Sequence, residues 1–555
     1  MKELEKHCRK RWESLKSERS PWMDHWRDIS KVLLPRSGRF LATQNNKGDE
    51  RSVDIQDNSG TRALRTLAGG MMAGMTSPAR PWFRLTTLNP ELDEDYEVKV
   101  WMSQTTSLMQ MIFTRSNVYR ALHMAYEELG AFGTSATVVL DDFDRVIHCM
   151  PLTIGEYALA TDARGRVNTL YREFRLSVAS TVAEFGYANC SKATQQAFDR
   201  QRYDDWVTII NAIEPRDLRD PGKPDNRNMP WRSVYFEESS RGRNSSGILR
   251  ETGFRHFPAL CGRWHVTGGD IYGNSPGMEA LGDLRQLQSE QYRKAQAIDY
   301  MANPPIIVPT DYKDNESSIM PGGTIFADTE SQAKSIRSAF QVNLDLQGVL
   351  LDIQDCRQRI NEAFYKDIFL MLTEQGGNRM TATEVAERHE EKMLMLGPVL
   401  DRLNNEVLDP LISLVFERMV LTDMLPPLPD ELQGVELNVD YISILAQSQK
   451  AITTNAVDRF TNSLGVLAGY KPEVIDKLDA DYWADYYADS LGIDPRLVVP
   501  GEKVALIRQQ RAEAAQQQAQ VEQAAQLASA AKDVGSIQQV SSPTPDQVAG
   551  MFMGY

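Results

Sequence analysis

Gly273-Asn274-Ser275-Pro276-Gly277 has the G-x-S-x-G spacing of a hydrolase nucleophile elbow, in which a serine on a tight turn attacks a carbonyl. That chemistry needs a backbone N–H from the residue after the serine to hold the oxyanion. Here that residue is Pro276, which has none. The overlapping run Gly268-Gly269-Asp270-Ile271-Tyr272-Gly273-Asn274-Ser275 has the glycine spacing of a phosphate loop, G-x-x-x-x-G-K-S. Asn274 stands where the lysine would meet the phosphates. A serine hydrolase or a nucleotide-binding enzyme using residues 268–277 is thus the alternative reading, and a turn opening into a helix is the preferred one.

Other reactive groups are scattered. Asp141, Asp142 and Asp144 follow an expected strand and could bind a hard cation, but carboxylates there are commonly turn residues. Asp479, Asp481, Asp485 and Asp489 alternate with Tyr482, Trp483, Tyr486 and Tyr487, a pattern expected of an acidic solvated helix face with its aromatics packed inward. His389-Glu390-Glu391 begins like a zinc-protease motif, yet position 393 is methionine. The five cysteines (Cys8, Cys149, Cys190, Cys261, Cys356) include no C-x-x-C pair, so neither a disulfide framework nor a zinc knuckle is indicated. Met71, Met72 and Met75 sit at helical spacing and read as core. The expectation is a protein without catalytic residues, cofactor or metal.

The elements that would position these residues change character along the chain. Ser20-Pro21 reads as the start of a helix carrying Trp22, Trp26, Ile29 and Leu33, with Pro35 at its end. A polar loop, Ser37–Asp49, should follow, then helices over Ser59–Met75, Glu94–Arg115 and Val118–Leu129. Two prolines break the chain between Thr76 and Phe83. Short β-rich runs follow at Thr137–Leu140, Val146–Met150, Tyr157–Thr161, Val167–Phe174, Trp206–Glu214, Trp231–Glu237, Ile248–Glu251 and Phe257–Val266. Asp162–Gly165 makes a hairpin turn, and Pro215–Pro230 an exposed loop.

From Gly277 a helix runs to Ala302 and stops at Asn303-Pro304-Pro305. One long amphipathic helix carries Leu346, Leu350, Ile353, Ile360, Phe364 and Ile368. A second begins with the capping box Thr381/Glu384, continues through Leu396, Val399, Leu403, Val407 and Leu411, and should bend at Gly397-Pro398. Short helices are expected from the Pro426–Pro429 joint to about Leu497. Within Ala505–Lys532, 10 of 28 residues are alanine and 8 glutamine, which favours helix but leaves little to pack. Val534–Tyr555 reads as a flexible end.

The 555 residues carry 61 basic and 76 acidic side chains, a formal charge of −15. That balance opposes a tight, sequence-blind grip on nucleic acid, which runs on lysine and arginine against phosphate. It suits a wall past which DNA must slide. The longest charge-free runs, Val100–Thr114 and Thr66–Ala79, fall short of the ~20 apolar residues of a membrane span. The N-terminus lacks the apolar stretch of a secretion signal, so a soluble protein made inside a cell is expected.

Several stretches in combination resemble the portal, or head-to-tail connector, proteins of short-tailed double-stranded DNA bacteriophages. They are Asp57-Asn58-Ser59-Gly60, Leu67 to Pro78 (LAGGMMAGMTSP), Pro81-Trp82-Phe83, Tyr272 to Gly277 (YGNSPG), Asn303-Pro304-Pro305, and Arg379 to Val385 continuing to Leu396-Gly397-Pro398. The resemblance covers roughly residues 1–420. It implies a mixed α+β, predominantly helical portal fold: an α/β wing (1–270), a stem helix (271–303), a small β-containing clip (304–339), a second stem helix (340–373), a tunnel loop (374–380), a bent helix (381–425), a crown (426–503), and a Gln/Ala-rich barrel helix with a flexible end (504–555). It also implies a ring, usually of twelve copies, at one capsid vertex of the virion, assembled in the host cytoplasm. Genome DNA would pass its channel in packaging and ejection without sequence specificity. Glu374, Gln375, Gly376, Gly377, Asn378 and Arg379 would line the narrowest part. Ile306, Ile307, Val308, Gly323, Thr324, Ile325 and Phe326 of the clip would receive the packaging terminase and tail adaptors, and capsid and scaffolding proteins would be further partners. No cofactor and no membrane are implied.

Overall fold

The structure is a computed structural model. It describes residues 2–40, 54–89, 92–93, 95–223, 225–238, 247–309, 320–327, 337–338, 346–373, 396–443, 460–467, 469–484, 497–499 and 503–521. The chain divides into two compact units. The larger comprises Met1–Thr86, Gln104–Leu428 and Leu437–Arg459; the smaller comprises Thr87–Ser103, Pro429–Glu436 and Phe460–Tyr555.

The larger unit opens with α1 (Lys2–Val32), then α2 (Ser59–Met75) and β1 (Phe83–Thr87). Pro21 therefore lies inside a helix that starts at Lys2, not at its first turn. The stripe that overrides it begins before the proline. Trp12, Leu15, Trp26 and Ile29 are all buried, and that burial outweighs the one hydrogen bond Pro21 cannot make. After α3 (Tyr96–Arg115) and α4 (Val118–Phe132), a hairpin forms from β2 (Ala136–Asp142) and β3 (Val146–Leu152).

A five-stranded antiparallel sheet follows: β4 (Tyr157–Thr161), β5 (Val167–Ser177), β6 (Trp206–Pro215), β7 (Trp231–Glu237) and β8 (Ile248–Phe254), in that order. Alternation sorts its two faces. Ile210 and Ala212 pack with Trp12 and Leu15 of α1, while Val207 and Ile209 pack with α5 (Val178–Phe185) and α6 (Lys192–Asp199). The last two helices fall in a stretch where only strands were expected. They are short and serine-capped: Ser177 accepts from Ser180 N–H and Ser191 from Thr194 N–H. Of the expected strand Phe257–Val266, β9 (Ala259–Leu260) pairs with β2, and Arg263 and His265 make only isolated bridges, to Thr134 and Asn274.

The helix α7 (Leu281–Ala302) leads to β10 (Ile306–Pro309), β11 (Thr324–Ala327) and β12 (Arg337–Ser338), a small sheet with β10 in the centre. The amphipathic segment beyond it is two helices, α8 (Leu346–Ala363) and α9 (Lys366–Thr373), rather than one. Tyr365 breaks it in the left-handed region, at φ +53°. The break lets Phe364 and Phe369 both reach the core, at 0% and 2% exposure. Residues 396–403 are helical, and Leu396, Val399, Leu403, Val407 and Leu411 are buried as the periodicity requires. The irregularity in this helix is a π-turn at Asn404–Leu408, just before Pro410, ahead of α10 (Asp409–Leu421). Widening the turn there removes the clash between a proline ring and the carbonyl four residues earlier. The capping box Thr381/Glu384 lies outside the described residues.

Beyond the Pro426–Pro429 joint the chain makes β13 (Leu437–Tyr441), which pairs with β1, a strand where helix was expected. In the smaller unit, residues 503–521 form the expected Ala/Gln helix. Its exposed side chains include Leu506 and Val521. Arg508 binds Asp481 through two 2.6 Å hydrogen bonds. Tyr482 is 62% exposed, so the inward packing expected of the aromatics beside these aspartates does not hold for it. Asp485 and Asp489 lie outside the described residues, as does Val534–Tyr555.

Candidate functional site

The glycine-serine stretch is where the α4 terminus, the β2 start and the α7 entry cross. Gly133, at φ +75°, ends α4, and a Cβ placed on it would stand 2.2 Å from Gly273 O. A Cβ on Gly273 would stand 2.2 Å from Gly133 O. Only two glycines allow backbones so close. Ser275 is fully buried and caps the helical turn Pro276–Glu279: its hydroxyl accepts from Met278 N–H at 3.0 Å and donates to Ala131 O at 2.8 Å. A hydroxyl so placed is no nucleophile. The amides that a phosphate would require are engaged as well. Gly273 N–H donates to Thr134 Oγ1 at 2.8 Å, and Asn274 N–H to His265 O at 2.6 Å. The motif is a structural joint, which is the preferred reading of its sequence.

Asp142 completes the turn reading of the β2–β3 carboxylates, accepting from Asp144 N–H (2.8 Å) and Arg145 N–H (3.2 Å), while Asp141 pairs with Arg418 at 2.7 Å. A cleft of about 1210 Å³ lies between the β4–β5 hairpin, the Gly268-Gly269 loop and the π-turn. Several of its charged groups are engaged within the protein. Arg263 binds Glu406 and Gly165 O, and Asp162 accepts from Arg164 N–H and Arg166 N–H. Cys261 in its wall is held as a thiol, because burial pushes its pKa far up.

Helices α7 and α8 are tied to the start of α2 by a polar knot that no motif in the sequence announces. Asp57, just before α2, is buried. Its carboxylate takes Arg357 of α8 at 2.7 Å, Gln291 of α7 at 2.9 Å, and Ser59 N–H at 2.8 Å. Gln288 of α7 closes the knot, accepting from Gln56 N–H and Asp57 N–H and donating to Asp57 O. Burial alone would raise the Asp57 carboxyl; the hydrogen bonds from Ser59 and Arg357 outweigh it and hold the group below its ordinary value. The visible signal was Asp57-Asn58-Ser59, an aspartate whose side chain caps the residue two further on. Arg359 of α8 adds a 2.9 Å bond to Asp283 of α7, and Arg285 reaches Asp28 of α1 at 2.7 Å.

Between the same helices, Glu290, Asp352 and Cys356 bring possible ligand atoms within 4.8 Å of one another. Burial and the neighbouring Asp352 raise the Glu290 carboxyl, so the trio is a crowded like-charge contact.

Beyond this knot the outer part of α7 and the start of α8 stand uncovered. From residue 289 to the end of α7 no residue is buried, and Tyr292, Ile298 and Met301 are 54%, 44% and 46% exposed. At the start of α8, Leu350 and Leu351 are 42% and 66% exposed. Residues 306–308 and 324–326 come together in one small sheet. Ile306, Ile307 and Val308 pair in parallel with Thr324, Ile325 and Phe326, and β12 adds antiparallel contacts through Ile306–Ser338 and Ile307–Arg337. Gly322 N–H bonds Asn303 O at 2.9 Å, and Gly323 O accepts from Ile306 N–H at 3.1 Å, so the turn closes on the Asn303-Pro304-Pro305 end of α7. Glu374, Gln375, Gly376, Gly377, Asn378 and Arg379 lie outside the described residues.

Two tied helices with exposed apolar flanks, leading to a small three-stranded sheet and held to a mixed α/β body, are the build of an assembly subunit. A sequence model of bacteriophage head to tail connecting proteins matches residues 5–499, and the chain belongs to that family. It is 58% identical over 548 residues to a probable portal protein of Bordetella phage BPP-1, covering 98% of both chains. To the portal protein of Salmonella phage epsilon15 it is 44% identical over 503 residues, 90% of each. A chain in the virion of a native gene transfer agent particle aligns over 84% of this chain and 99% of its own, at 13% identity and a TM-score of 0.32, a likeness too loose to bear on the fold. The protein is a portal-type head-to-tail connector, a capsid-associated component of a phage virion. Among the described residues, no helix is long and apolar enough to cross a membrane.

Proposed function

We propose that copies of this chain close into a ring of twelve around a channel for double-stranded DNA. The uncovered apolar flanks of α7 and α8 carry the reading. Tyr292, Ile298, Met301, Leu350 and Leu351 lie on two helices already tied to the wing, so neighbouring copies are the natural cover. Residues 1–270 form the wing, 271–303 and 340–373 the stem, 304–339 the clip, 374–380 the tunnel loop and 381–425 the bent helix, with crown and barrel after them. Packaging terminase and later the tail adaptors dock on the clip strands, while capsid and scaffolding proteins hold the wing during assembly in the host cytoplasm. The chain itself performs no chemistry.

Twelve copies carry a formal charge of −180, which keeps phosphate from adhering to the ring as a whole. The 503–521 helix, with no buried residue of its own, joins its copies in a barrel. Negative-stain imaging and native mass across a range of concentrations test the ring. Annular particles with a central hole are expected. A folded monomer at every concentration would overturn the reading.

A further inference from the structure

At the tip of the β2–β3 hairpin, Phe143 is entirely exposed. The turn is three residues long, Phe143-Asp144-Arg145, because Asp142 pairs with Val146. Three-residue hairpins usually close on a residue in the left-handed region, most often glycine. Here the left-handed residue is instead Val146, the first strand residue after the turn, at φ +70°. A β-branched side chain there is costly, and such strain persists where the position serves a purpose. The Asp141–Arg418 pair sets the turn beside the end of α10, where Val420, Leu421 and Met424 are also exposed, at 53%, 50% and 38%. Asp423, next to Met424, is a second non-glycine residue in the left-handed region, at φ +53°.

We propose that this hairpin tip and the α10 end form a docking surface for a basic segment of another protein, apolar on one side and bearing lysine or arginine beside it. The charge pattern chooses the occupant. Asp142 and Asp144 flank Phe143 in the chain, and Asp423 precedes Met424. Of the nearby cations, Arg418 is matched to Asp141, and Arg255 and His256 lie against Glu417 at 3.9 and 3.8 Å. Arg145 is the one cation in the turn. An acidic partner would meet carboxylates, and nucleic acid would be repelled by them. The inference does not rest on the ring.

The test uses the full chain and a helical peptide of about 18 residues, built from leucine and lysine with one apolar face, followed by fluorescence anisotropy. The Phe143→Ser/Leu421→Ser double variant should bind it about tenfold more weakly than the parent chain, as loss of two central anchors implies. Asp144→Asn/Asp423→Asn should weaken binding and flatten its salt dependence. All four side chains are exposed or at a turn, and an unchanged melting profile verifies folding. Equal binding by parent and double variant would overturn the proposal. So would equal binding of a peptide with glutamate for lysine, or no binding at all. If the double variant instead changed only the sedimentation of the chain itself, the surface would join copies and the proposal would also fail.

Discussion

The crossing of α4 with the entry to α7 and the outer half of the stem are a short distance apart in sequence and opposite in physical character. At the crossing the Ser275 hydroxyl and the Gly273 and Asn274 amides bond within the chain, and two glycines bring backbones into contact. Along the outer stem, Tyr292, Ile298 and Leu351 find no cover. The first region is complete in one copy; in the proposed ring, neighbouring copies would complete the second. Substitutions should therefore separate cleanly into those that unfold the subunit and those that spare it but stop assembly.

The largest effect belongs to the crossing. Gly273→Ala forces a methyl onto Gly133 O, and neither backbone can yield cheaply. A loss of about 3 kcal/mol or more is expected in urea unfolding, or failure to fold. A variant as stable as the parent would show that the two backbones are not locked together, and the contrast would lose one side.

Next comes a buried carboxyl in the same wing. Glu128 on α4 accepts from Thr153 Oγ1 at 2.8 Å and Ile154 N–H at 3.1 Å. Burial, with smaller contributions from Glu127 and Glu156, raises its pKa from 4.5 to about 7. The folded state thus binds a proton that the unfolded chain has released. The associated stability is complete below about pH 4.5 and is lost as the pH climbs through 7, roughly 3 kcal/mol in all. Glu128→Gln imitates the protonated form. It should match the parent at pH 4 and exceed it at pH 8, and parallel stability curves for the two chains would refute the assignment.

These residues also show how far the sequence could be read. Helix Ser59–Met75, strands Tyr157–Thr161 and Trp231–Glu237, and the Ser275 turn were legible because local signals agreed: a periodic apolar face, short β-rich runs, and proline after serine. Pro21 misled because a helical stripe on both sides of it outweighs one missing hydrogen bond. The break at Tyr365 has no glycine or proline to announce it; it comes from fitting Phe369 against Gly70, where a Cβ would stand 2.2 Å from the ring. β13 was missed because its partner, β1, is more than three hundred residues away, and α5 and α6 because they are shorter than a window that shows helical period. At the site, the clip strands could be read from their β-branched runs. The Asp57 knot could not, since no spacing rule links residues 57, 288 and 357.

A smaller effect is expected at that knot. Asp57→Asn keeps the shape but loses the charge that Arg357 answers, for about 2 kcal/mol of subunit stability. Because Asp57 holds both α7 and α8, rings that still form should show a less sharply defined stem in averaged images. Unaltered stability would mean that the helices are placed by their apolar contacts alone.

The smallest effect on the subunit should accompany the largest effect on assembly. Leu351→Asp places a charge where the single copy already meets water, so unfolding should shift by no more than about 0.5 kcal/mol. In a ring the same charge would be buried against a neighbour without a partner, a penalty repeated at every interface around the circle. The variant should therefore remain folded and sediment as a small species under conditions where the parent is annular. If Leu351→Asp lowered subunit stability as much as Asp57→Asn does, its side chain would be core, and the outer stem would be as self-sufficient as the crossing. If rings formed unchanged, neighbours would be held elsewhere, and the exposed stripe would need another explanation.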